Sequence, residues 1–167
     1  MADGGASSFI LLATALLISG SVSAVLINQY GDLAQTMGKQ QKGEEANRQT
    51  SFEFSGDLSN VAYDTSNPIE TMTFYLQNTG VYILDEDTLF IQVDGQSISA
   101  PDVFTTVLPL GGDWGNNDLL EVVISGAWGL PDNSDVKFSV LVESTSSITG
   151  YSGKAVDSVE VRLNELS

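Results

Sequence analysis

The chain contains no cysteine and no histidine. It therefore has no thiolate nucleophile, no imidazole base and no Cys/His zinc site, which removes most common hydrolase machinery. Disulfides are excluded too, so a domain placed outside a cell must be held by packing. Bases are scarce: Lys39, Lys42, Arg48, Lys137, Lys154 and Arg162 stand against 22 carboxylates, for a formal charge of -16. Six scattered bases cannot build a patch that neutralises phosphates, so no nucleic-acid partner is expected. The acid excess favours solubility, mutual repulsion, and cationic or salt-rich surroundings. No Asn-x-Ser/Thr sequon occurs, so N-linked sugar is not expected. Nothing marks a strained serine beside a lysine, and an enzymatic role is not expected.

From Gly4 to Gly31 charge itself is missing. Inside that window the stretch from Phe9 to Ile27 is 19 residues. As a helix it would be roughly 30 Å long, one bilayer hydrocarbon core. Phe9, Ile10, Leu11, Leu12, Leu16, Leu17, Ile18, Val25, Leu26 and Ile27 make it apolar. Small residues recur at helical spacing, at Ala15, Ser19 and Ser23, and at Gly20 and Ala24; such stripes let helices approach closely in lipid. Leu26, Tyr30, Leu33 and Met37 continue an apolar stripe beyond the run, so the helix is expected to run past the lipid boundary. A cleaved signal peptide needs a basic start, which Met1-Ala-Asp-Gly-Gly does not supply, and apolar residues continue past Ser21-Val-Ser-Ala24. The segment reads as an uncleaved anchor. The nearest bases, Lys39, Lys42 and Arg48, follow it, and the positive-inside rule alone would put the rest of the chain in the cytoplasm.

Gly38 and Gly43 bracket a very polar stretch, and a helix break is expected there because each glycine costs about 1 kcal/mol in a helix interior. From Ser51 the period switches to two. Phe52 and Phe54, then Met72, Phe74 and Leu76, then Leu89, Ile91 and Val93 alternate with polar residues. Val81 to Leu84 reads as a strand, Asp85-Glu-Asp87 as a turn, and Asp94-Gly95 as a hairpin signature. Val103 to Leu110, Leu119 to Ile124, Val136 to Val142 and Val156 to Leu163 complete about seven or eight strands. The layout is α+β: a long N-terminal hydrophobic helix (residues 1–37), a polar hinge or helix end (38–50), and an all-β, antiparallel, immunoglobulin-like sandwich (51–167).

Two acidic loops, Asp85-Glu-Asp87 and Asp132-Asn-Ser-Asp135, offer oxygen ligands for calcium, although turn chemistry accounts for them equally. No other cofactor is indicated. The Gly-rich loop around Trp114 lacks the lysine and following helix of a phosphate cradle. Trp114 and Trp128 are candidate partner contacts, or plugs for the ends of their own core.

An uncharged helix continuing into an acidic all-β domain is the layout of type IV pilin-like archaeal surface proteins. Within that group the chain resembles the G-type accessory proteins of the archaellum, the FlaG/ArlG family. The resemblance rests on Met1-Ala-Asp before the apolar run, Thr73-Phe-Tyr-Leu-Gln-Asn-Thr-Gly80, Leu89-Phe-Ile-Gln-Val-Asp-Gly-Gln96, and Trp114 before the aliphatic strand Leu119 to Ile124. It implies a membrane-anchored protein with its β-domain outside the cell. Homo-oligomers or the F-type accessory protein, and a surface-layer protein, would be its partners in holding the motor as a stator. The alternative is a filament subunit, a pilin or archaellin. The absence of a basic leader argues for the anchor; the long loop from Glu143 to Val156 suits the filament subunit. A membrane-tethered binding domain is the third reading, with no loop that identifies a ligand.

Overall fold

The computed structural model describes residues 4–66, 68–109, 111–145 and 150–166. Met1-Ala-Asp3, the end of the expected strand at Leu110, and residues 146–149 of the loop before the last strand lie outside them. The chain divides into two compact units, Met1–Gln41 and Lys42–Ser167.

The first unit is helix throughout its described part. It belongs to α1, which runs from Gly4 to Gln49, 46 residues or about 69 Å. The break expected at Gly38 and Gly43 is absent. Both glycines face open space, so they cost helix propensity without creating a clash. The turns beyond them are held by the rest of the second unit. Ala46 is buried. The Gln49 carbonyl accepts the Val81 N–H at 2.8 Å, and the Asn47 side-chain oxygen accepts the Lys154 N–H at 2.8 Å. The Thr50 hydroxyl donates back to the Ala46 carbonyl at 2.8 Å. Carbonyls that a helix end leaves orphaned are satisfied here by neighbouring chain.

The rest of the second unit is built from β1 (Phe52–Ser55), β2 (Val61–Asp64), β3 (Glu70–Asn78), β4 (Leu84–Val93), β5 (Gln96–Ser97), β6 (Val103–Leu108), β7 (Leu119–Gly126), β8 (Asp135–Ser144) and β9 (Lys154–Leu166). They form one curled sheet in the order β5-β4-β8-β9-β2-β3-β7-β6, with β1 pairing on β3. The joint is β9. Its residues 154–162 run antiparallel to β8, and residues 163–166 run parallel to β2. The sandwich is therefore continuous along one side, through a parallel pair that the antiparallel expectation does not contain.

Alternation places Met72, Phe74 and Leu76 inside on β3, with Ile91 and Val93 on β4 and Phe138 on β8. Phe74 and Phe138 meet across the core with ring centroids 4.8 Å apart. Asp94-Gly95 makes the expected two-residue hairpin, with both φ angles positive (49° and 81°) and Val93 opposite Gln96. Elsewhere the strands shift. Of Val81 to Leu84 only Leu84 is strand. Asp85-Glu-Asp87, expected as a turn, lies within β4, where the pairing with β8 slips between Asp85 and Phe90. The four-residue β2 was not anticipated at all.

Candidate functional site

The apolar helix offers its side chains on every side. Phe9, Ile10, Leu11, Leu12, Leu16, Leu17, Ile18, Val25 and Ile27 are all exposed, Leu17 the most at 76%. The stripe Leu26, Tyr30, Leu33 and Met37 is exposed as well. The small residues Ala15, Ser19, Gly20 and Ser23 are exposed too. A helix apolar all round needs an apolar environment. This one is long and apolar enough to cross a membrane.

Its hydroxyls fit that environment. Thr14 donates to the Ile10 carbonyl at 2.8 Å, Ser21 to Ile18 at 2.9 Å, and Ser23 to Ser19 at 2.9 Å. These three hydroxyls are satisfied within the helix, so entering lipid or a protein core strips no hydrogen bond from them.

The two tryptophans serve the β-domain itself. Trp114 is 1% exposed, so it has no surface to give a partner. Its indole N–H donates to the Asp118 carbonyl, and its own carbonyl accepts from the Leu84 N–H and the Asn78 amide. Trp128 packs partly buried against the core, over Gly126, where any Cβ would strike its ring. Its backbone N–H and that of Gly129 donate to the Glu70 carboxylate at 2.7 and 2.9 Å. The Tyr63 hydroxyl also donates to Glu70 and holds that carboxyl below its ordinary range. Burial, with Glu70 beside it, pushes Tyr63 up to about 12. This clamp shuts one end of the core, and no expectation from the sequence linked Tyr63, Glu70 and Trp128.

The two acidic stretches use carboxylate oxygens to hold neighbouring chain, and Asp135 pairs with Arg162. Asp85 accepts the Asp87 N–H, and Asp132 accepts the Glu165 N–H. Among the described residues, no three His, Cys, Asp or Glu side chains group to hold a metal. Ser134-Asp-Val-Lys137 has Ser-x-x-Lys spacing. Its serine hydroxyl is buried and its lysine is exposed, so the two do not form a dyad.

Fold and helix together define a structural surface protein: an apolar assembly helix feeding a disulfide-free, acidic β-domain. The chain belongs to the archaeal-type flagellin family, whose model matches residues 2–154. That family is structural rather than enzymatic and places the chain at the archaeal cell surface, as part of the motility apparatus. No curated protein matches the chain. Among solved structures, the chain is similar to a chain of the archaeal flagellum of Methanospirillum hungatei strain JF1. The two share 14% identity over 96% of this chain and 94% of that one, with a TM-score of 0.58.

Proposed function

We propose that this chain is a subunit of the archaeal flagellar filament, with its helix packed against the helices of further copies. The observation that carries this reading is the helix: its apolar side chains are exposed all round, and the hydroxyls of Thr14, Ser21 and Ser23 bond within it. The family match and the likeness to a flagellum chain favour a filament over the anchored stator that the sequence motifs suggested. Lipid holds the helix before assembly, and neighbouring helices replace lipid within the filament.

The test is electron microscopy of the intact purified protein beside Leu17→Lys. Leu17 is exposed in the single chain, so the substitution leaves the fold intact. A lysine at the centre of such a helix costs about 2.5–3.5 kcal/mol on membrane-insertion scales. Long filaments of the native chain, lost in Leu17→Lys, are expected. Membrane-bound particles that recover the F-type accessory protein and a surface-layer protein, without filaments, would overturn the reading in favour of the stator.

A further inference from the structure

The register between β8 and β9 brings together residues that are scattered in the sequence. Lys137 on β8, and Lys154 and Arg162 on β9, point outward on the same face of the β4–β8–β9 half. They are every base that follows residue 50. Two of them carry ion pairs along the sheet, Lys154 with Glu143 at 2.6 Å and Arg162 with Asp135 at 2.8 Å. The face thus offsets its own carboxylates, on a chain of charge -16.

The same face carries a continuous apolar row. Phe90 lies opposite Leu141, and Leu141 opposite Val156, across three strands. Phe90 is 44% exposed and Val156 66%. Gln92, Ser139 and Ser158 make the adjoining row polar, so the apolar one stands out as a strip.

The opposite half presents the complement. Its outer face, on β1, β2, β3, β7 and β6, carries Glu53, Asp64 and Glu121 and no base. Phe104 on the edge strand β6 is 59% exposed there and sits opposite Val123. Tyr75 lies beside this pair and donates to Glu121 at 3.1 Å.

We propose that the β4–β8–β9 face of one copy docks on the β3–β7–β6 face of the next. This rests on the filament-subunit reading and names the contact between its β-domains. Two acidic copies repel wherever carboxylates meet carboxylates, and the base-bearing face is where that repulsion is least. Apolar strip then meets apolar patch, and a face whose carboxylates are offset by bases meets one that carries acids alone. Because the two faces differ, the contact is head-to-tail and does not close on itself, which is the geometry that propagates a filament.

The chain lacks cysteine, so introduced thiols report on nothing else. Val156→Cys, Phe104→Cys and the double variant would be made in the full chain, assembled, and treated with a short bis-maleimide. The double variant is expected to give a ladder of crosslinked oligomers, and each single variant only monomer. A variant that does not assemble alone would be mixed as a minor fraction into native subunits. There the double variant should give crosslinked dimers. Native filaments without double-variant crosslinks would overturn the docking and leave the filament reading standing. Dimers from Val156→Cys alone would also overturn it, as a symmetric contact. Failure of the native chain to form filaments would overturn both.

Discussion

The joint between helix end and β-domain can be tested at one buried residue, Gly153. A Cβ built there collides with the Thr50 hydroxyl and the Ala46 carbonyl. The glycine cannot back away. Its carbonyl accepts the Ser144 N–H at 2.8 Å, and its N–H donates to the Ser144 hydroxyl at 2.8 Å. Gly153→Ala must therefore push the helix end outward. That strains or breaks the Thr50–Ala46 and Lys154–Asn47 hydrogen bonds, each worth about 1 kcal/mol. Overpacking adds about 1–3 kcal/mol. A loss near 3 kcal/mol, about 150-fold in the docking equilibrium, is expected. Hydrogen exchange of the full chain in detergent would read it, as faster exchange over residues 46–50 and 79–82 beside slower change in β3 and β7. Gly95→Ala is the matched control. It meets nothing within 4 Å but sits at φ +81°. It should cost about 1–2 kcal/mol by backbone strain and leave exchange at the helix end unchanged. A Gly153→Ala protein within about 0.5 kcal/mol of native stability would refute the joint.

Three further outcomes are expected. Trp114→Ala, which empties a fully buried site, should cost about 3–5 kcal/mol in urea unfolding. A loss under about 1 kcal/mol would contradict its role as a core plug. Glu70 has its folded pKa lowered by the Tyr63 hydroxyl and by the Gly129 and Trp128 N–H groups. Its contribution is therefore present above the unfolded carboxyl pKa and is lost as pH falls through the lowered value. Glu70→Gln should flatten that part of the acid limb, and an unchanged acid limb would refute the clamp. Gly38→Ala should raise helix stability by about 1 kcal/mol in micelles, measured by circular dichroism. A destabilised helix would mean that the position needs glycine for close contact.

Where neighbours in the sequence decide the structure, the sequence was legible. Strand β3 alternates as read, and Asp94-Gly95 turns as read, because each depends on a few adjacent residues. The helix is similar: its apolar surface is the unmodified pattern of residues 9–37. The errors sit where distant chain takes over. Asp85-Glu-Asp87 has turn residues, yet pairing with β8 draws it into a strand with a slipped register. The polar stretch after Gly38 stays helical because Val81 and Lys154 bond to its far end. Trp114 reads equally as a partner contact or a core plug, since the Leu84 and Asn78 that enclose it are about 30 residues away. The face built from Lys137, Lys154 and Arg162 exists only once β8 and β9 are in register, which no local pattern reveals.

The parallel pairing of β9 with β2 also sets an order of events. Val61 meets Leu163, about a hundred residues later in the chain. The curled sheet cannot close until the ribosome has released residues 163–166, whereas the apolar helix emerges near the start of synthesis. The apolar helix is therefore complete while the β-domain is still an open chain. Closure of the sheet is thus a late event in the life of the chain, and the absence of cysteine means that it needs no oxidant.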